Sequence, residues 1–239
     1  MTGMLASVNS IAEALLVLNA GVDIIDLKQP ALGALGALEL DDVKQIVAVI
    51  AGRRPVSATI GDLPMQPEVI FNAVHTMAET GVDYIKIGFF PGDDWAGTLK
   101  KLSSVALQKQ ALIAVLFADA QPDLTIIATL KASGFAGVML DTMDKQQGSL
   151  TQVMTAQQIV QFVYQAKELQ LLCGLAGSLR LMDIPELMTY QADYLGFRGA
   201  LCQEHNRVGQ LNQIAVQAIN LAMQAASEES ALESIKHTI

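Results

Sequence analysis

The sequence predicts a (β/α)₈ TIM barrel, and three observations carry that expectation. Short β-type runs recur about every 25 to 30 residues, each followed by a longer segment with helical periodicity, as repeated βα units on a parallel sheet require. Eight such pairs fit into about 225 residues, near the lower end of the usual barrel length. No G-x-G-x-x-G follows the first run, and the polar residues are spread over many strand ends, which disfavours an open doubly wound sheet.

The expected pairs run in order. Met4 to Val8 is a strand leading into a helix over Ser10 to Asn19, with Ser10 placed to accept from first-turn amides. Asp23 to Lys28 precedes a helix over Asp41 to Ile50, Val56 to Gly61 one over Pro67 to Thr80, and Tyr84 to Phe89 one over Asp94 to Lys109. Ala111 to Phe117 leads to Asp123 to Ser133, capped by Asp123, and Gly137 to Asp141 to Thr155 to Leu169, capped by Thr155. Leu171 to Ala176 with Asp183 to Tyr190, and Tyr194 to Arg198 with Gln210 to Ala226, complete the set. Helices end in glycine-containing turns such as "NAGVD", "ETGVD" and "KASGFAG", where glycine supplies a left-handed cap. "GVD" precedes both the second and fourth strands and reads as a repeated turn. Residues 1–226 are thus expected to form one barrel domain, with 227–239 a polar tail.

Composition narrows the function. A chain of 239 residues with 51% hydrophobic content buries a sizeable core. Its net charge of −9 argues against nucleic acid, so any phosphate it binds must be small and held locally. Cys173 and Cys202 lack the spacing of a disulfide framework or a CxxC site and are expected as buried thiols. The N-terminal region lacks a basic segment before "ALLVL", and no run of 18 apolar residues occurs, so a soluble cytoplasmic protein without a membrane partner is expected. His75, His205 and His237 form no HxH or HxxxH pair, so no metal is expected. Apolar-rich helices, ten methionines and small size point to a homo-oligomer.

The candidate chemistry lies at strand ends. Lys28 in "DIIDLK" shares a strand face with Asp26, and Lys86 in "DYIKIG" shares one with Tyr84 and Gly88. An amine among apolar walls and other cations resists protonation, and the neutral amine attacks carbonyl carbon. A salt bridge from Lys28 to Asp26, with the amine reaching solvent, is the structural alternative. Asp141 closes "GVMLD" and Lys145 follows four residues later, a pairing suited to proton shuttling or, equally, to a structural ion pair. Asp62 in "SATIGD" is a further acid/base candidate or a turn residue. "GLAGSLR" and "GFRGALC" end the last two strands, where Gly177, Ser178, Gly199 and Ala200 can form a phosphate cradle with Arg198 as charged partner.

The segments "GVDIIDLKQPALGALGA", "VSATIGDLP", "GVDYIKIGFF", "MLDTMDK" and "GLAGSLR" resemble the (5-formylfuran-3-yl)methyl phosphate synthase family, also called 4-(hydroxymethyl)-2-furancarboxaldehyde-phosphate synthase, from about Met4 to Met223. The resemblance implies a cofactor-free lyase of methanofuran-type carrier biosynthesis. It would join two glyceraldehyde 3-phosphate molecules into a furan aldehyde phosphate, losing one phosphate and two waters. Lys28 would be the Schiff-base lysine, with Lys86, Asp141 and Lys145 completing the catalytic group. Gln66 departs from the pattern, since some members carry a basic residue there. A class I aldolase, a triose-phosphate isomerase-like enzyme, and a non-catalytic barrel serving as a binding or regulatory subunit are the competing readings.

Overall fold

Strands buried on both faces need cover outside and filling inside, and this chain supplies both. In the computed structural model, which describes residues 2–92, 94–103 and 110–236, eight parallel strands close into a barrel in chain order. They are β1 Gly3–Val8, β2 Ile24–Leu27, β3 Val56–Thr59, β4 Tyr84–Phe89, β5 Ala111–Phe117, β6 Gly137–Asp141, β7 Leu172–Leu175 and β8 Tyr194–Phe197. Closure is made by β1 against β8, with Met4 level with Leu195 and Ala6 with Phe197. The outer helices are α1 Ile11–Asn19, α2 Leu40–Ile50, α3 Pro67–Ala78, α4 Trp95–Leu102 and α5 Ile126–Ala132. A short α6 Leu150–Val153 precedes α7 Ala156–Glu168, and α8 Ile184–Thr189 and α9 Gln213–Lys236 follow.

The expected strands are all present, with boundaries shifted by no more than two residues. Ser10 caps α1 by accepting from Glu13, and Thr155 forms a reciprocal capping box with Gln158 at α7. Asp123 lies upstream of its helix and accepts from Thr125 N instead, so α5 starts at Ile126. The short α6 and several single-turn 3₁₀ segments carry too little periodicity to be read from sequence. The expected boundary at residue 226 falls inside α9, which continues to Lys236. Residues 104–109 of the fourth expected helix lie outside the described residues.

The "GVD" echo has a physical origin. Asp23, just before β2, accepts from Met4 N at the start of β1 at 2.7 Å, and Asp83, just before β4, accepts from Val56 N at the start of β3 at 2.8 Å. Asp193 does the same for Cys173 N on β7 at 2.7 Å. Each carboxylate satisfies a strand amide that has no ladder partner at the N-terminal rim. These ties sit at the end of the barrel away from the cavity.

The two layers of the core follow strand alternation. Outward residues such as Ile25, Ile85, Leu116 and Leu140 pack with the helices, whereas Leu5, Ile113, Val115, Phe117, Met139 and Tyr194 fill the barrel interior. Small residues admit the large ones: a Cβ at Gly174 would lie 2.4 Å from the Tyr194 ring. Cys173 and Cys202 are buried and unpaired, and burial pushes the Cys173 thiol up to about 12. Among the described residues, no helix is long and apolar enough to cross a membrane.

The loop after β2 is pinned over the barrel mouth. Asp62 accepts from Ala34 N at 2.8 Å and Leu35 N at 2.7 Å, and Thr59 Oγ1 donates to Gly36 O at 3.0 Å. Gly33 has φ 128°, and a Cβ there would stand 2.1 Å from Asp62 Oδ2. Gly33→Ala is therefore expected to lower stability by about 1–3 kcal/mol through backbone strain and loss of this clamp. Chemical denaturation measures it; an unchanged midpoint would show that the loop does not depend on the clamp.

Candidate active site

Side chains projecting inward at the C-terminal ends of the strands meet in a cavity of about 470 Å³, a volume typical of small-molecule sites. Lys28 just after β2, Lys86 from β4, Asp141 at the end of β6, Lys145 in the loop that follows it, the Gly177–Ser178 turn after β7 and the Gly199–Ala200 turn after β8 all line it. Eight of the candidate residues written above, Arg198 included, come together in one place with Lys28.

The ion pairing differs from the structural alternative for Lys28. Lys28 is only 5% exposed, and its Nζ lies 3.6 Å from Asp141 Oδ2. Asp26 instead holds Lys86 at 2.8 Å and accepts from Ser7 Oγ at 2.8 Å and Ser57 Oγ at 2.6 Å. Fully buried and surrounded by these donors, Asp26 lies beneath the cavity and does not line it. Its work there is to neutralise and orient Lys86.

Lys145 reaches back one helical turn of sequence to Asp141 Oδ1 at 2.5 Å, to Thr142 O, and to Thr142 Oγ1 at 3.2 Å. The loop that carries it is shaped by Asp119, whose carboxylate accepts from Met143 N and Asp144 N. Asp141 thus serves two ammonium groups at once. Burial would raise its carboxyl, but Lys145 and Lys28 outweigh that and hold it well below the usual carboxylate range.

Lys28 shows the opposite balance. Burial lowers its amine from 10.5 to about 8; Asp141 opposes the shift, while Lys145 and Lys86 add to it. A fraction of the amine is neutral near pH 8, which is the state needed to attack a carbonyl. Lys28, Asp141 and Lys145 thus stand in one chain of contacts, with the amine of Lys28 beside a carboxylate that also holds a second lysine.

Two of the candidate residues are engaged in structural contacts instead. Arg198 lines the cavity, but all five of its N–H groups are used by Glu13, Ser7 O, Arg207 O and Gly209 O. It ties β8 to β1 and to the following loop. Asp62 does not line the cavity and serves the β2 loop instead. Two cationic cavity residues were not singled out from sequence, Arg180 and Arg207. Arg180 directly follows the glycine turn in "GLAGSLR" and could have been noticed there; Arg207 lies in an irregular loop that carries no periodic signal.

With this geometry in place, residues 4–220 match the model of the 4-HFC-P synthase family. The chain belongs to that family. A Methylorubrum extorquens protein described as a candidate (5-formylfuran-3-yl)methyl phosphate synthase is 42% identical over 95% of this chain and 94% of its own. The (5-formylfuran-3-yl)methyl phosphate synthases of Methanopyrus kandleri (34% identity, 82% of this chain, 87% of that one) and Methanococcus maripaludis strain C5 (31%, 85% and 91%) are also similar. Members of the 4-HFC-P synthase family are enzymes by these names, and this chain is an enzyme of that kind. Solved structures with the same fold include 3-hexulose-6-phosphate synthase from Salmonella typhimurium, with TM-score 0.65 and 13% identity over 94% of this chain and 100% of that one. Phosphoribosyl anthranilate isomerase from Thermus thermophilus has TM-score 0.65 and 10% identity, covering 94% and 99%. At such identities they speak for the barrel alone.

Proposed function

We propose that this enzyme condenses two glyceraldehyde 3-phosphate molecules into (5-formylfuran-3-yl)methyl phosphate, releasing one phosphate and two waters, for methanofuran-type carrier biosynthesis. The observation that carries the reading is Lys28: a buried amine, lowered to about 8, in a polar cavity beside Asp141. An imine at Lys28 withdraws electrons through the former carbonyl, so a carbon-bound proton is lost more easily and a carbon–carbon bond can follow. Asp141 and Lys145, in contact, supply the acid and base for proton transfer and for the departure of water. Lys86, held in place by Asp26 at 2.8 Å, presents its Nζ at the cavity floor as a further donor to substrate. Gly177, Ser178, Gly199 and Ala200 offer close backbone approach to a phosphate.

Incubation of the purified protein with glyceraldehyde 3-phosphate alone is expected to generate an ultraviolet-absorbing furan aldehyde. Ketose phosphates without furan would replace this reading with an aldolase or isomerase, and binding without any turnover would leave a non-catalytic barrel.

The state of Lys28 makes the reaction pH-dependent in a defined direction. Imine formation requires the neutral amine, so borohydride trapping at Lys28 is expected to rise with pH and reach half its plateau near about 8. Asp141→Asn removes the nearest charge that raises the Lys28 value, so the half-point should move to lower pH. A half-point that stays fixed or moves upward in that variant would contradict the assigned coupling.

A further inference from the structure

Carboxylates and cations around the cavity do not balance. Among the described residues, Lys28 and Lys145 share Asp141, Lys86 is paired with Asp26, and Arg198 with Glu13. Arg180 and Arg207 line the same cavity, and neither forms an ion pair with a described carboxylate. The chain has 24 acidic residues and only 15 basic ones, yet the carboxylates nearest these arginines are already engaged: Asp141 by Lys145 and Lys28, Asp62 by the amides of Ala34 and Leu35, and Asp183 by the Arg180 amide. Guanidiniums that face a cavity without a direct carboxylate contact are matched by anions that arrive from solution.

The two arginines are anchored in different ways. Arg180 follows the turn at Gly177 and Ser178, whose φ values of 110° and 49° are both left-handed. Its backbone amide is fixed by Asp183 Oδ2 at 2.8 Å, while its side chain remains exposed. Arg207 starts beside Gly199 and stretches to the β2 loop, donating from Nη1 to Pro30 O and from Nη2 to Gly33 O, each at 2.9 Å. The carbonyl of Arg207 accepts from Arg198 Nε at 2.9 Å, so its backbone is held as well. Two of its five N–H groups are taken by loop carbonyls, which fixes the guanidinium plane. The remaining N–H groups have no partner in the described protein.

We infer that Arg180 and Arg207 each bind one phosphate group, making two distinct anion sites: one at the β7 loop, the other between the β8 and β2 loops. This assignment rests on the two-substrate reading above and deepens it, because a condensation of two triose phosphates needs both phosphates held in one cavity. Arg207 also couples its site to the loop that follows Lys28, since the same guanidinium grips Pro30 and Gly33.

Glycerol 3-phosphate carries the phosphate of a triose phosphate but has no carbonyl, so it reports binding without chemistry. Calorimetric titration of the full chain is expected to give two molecules bound per chain, falling to one in Arg180→Gln and to one in Arg207→Gln. Thermal unfolding of each variant checks that the barrel is intact. If Arg207→Gln does not fold, Arg207→Lys keeps the charge but loses the planar fork, and should weaken one of the two sites by about tenfold. One binding event in the native protein, two undiminished events in either variant, or loss of both events in a single variant would each overturn the assignment. Absence of furan product alongside two arginine-dependent binding events would refute the proposed reaction while leaving the two sites standing.

Discussion

Lys28→Arg is expected to lose furan formation by on the order of 10⁴-fold or more while the barrel remains folded. The guanidinium keeps the positive charge beside Asp141, so the electrostatic environment of the buried site is largely preserved. It cannot lose its proton in the accessible pH range, and so offers no nucleophile to a carbonyl. Charge and chemistry are separated by this one substitution. Borohydride trapping followed by peptide mapping supplies the second measurement, with substrate attached at Lys28 in the native protein and at no lysine in the variant. Retention of activity within about tenfold would sink the assignment. Trapping at Lys86 instead would move the imine to a residue already ion-paired with Asp26 at 2.8 Å. That outcome is disfavoured physically, because drawing Lys86 into an imine would leave the buried Asp26 carboxylate without its 2.8 Å partner, whereas Lys28 stands 3.6 Å from its own.

The comparison of Lys28 with Arg198 shows which parts of the site the sequence could reveal. Strand alternation alone put Asp26 with Lys28 on one face and Tyr84 with Lys86 on another, and closure of the barrel brought both faces inward. A period of two says where a side chain points, yet it does not say which of several charges across the barrel it will meet. Asp26 was therefore readable as an interior residue, but its choice of Lys86 over Lys28 depends on the stagger between β2, β3 and β4. The same limit applies to Arg198, whose glycine-flanked context resembles a phosphate loop while its acceptors come from Glu13, 185 residues away in the chain. Arg207 was hidden for a further reason: its contacts depend on an irregular loop folding back across the mouth to Pro30 and Gly33. Regular strands carry a repeating signal in sequence, and the loops that finish the site do not.

Breaking the Arg198–Glu13 pair is expected to lower folding stability by about 3–5 kcal/mol. Both residues are buried, at 7% and 6% exposure, and Arg198 Nη1 meets Glu13 Oε2 at 2.5 Å. Glu13→Gln leaves a buried guanidinium without its counter-charge. Arg198→Met leaves a buried carboxylate and strips donors from Ser7 O, Arg207 O and Gly209 O as well. Lysine at position 198 should recover little, because one ammonium cannot reach acceptors spread over β1 and the β8 loop. Urea denaturation measures the loss, and replacing both partners by apolar residues should restore part of it, since no uncompensated charge then remains. A loss below about 1 kcal/mol in both single variants would mean that the pair is solvated in solution and closes nothing. The pair also bears on binding: Arg198 holds the Arg207 carbonyl, and Glu13 accepts from Leu211 N at 3.0 Å on the far side of the same loop. Variants that fold despite the lost pair should therefore bind one glycerol 3-phosphate more weakly, the one assigned to Arg207, while the site at Arg180 keeps its affinity.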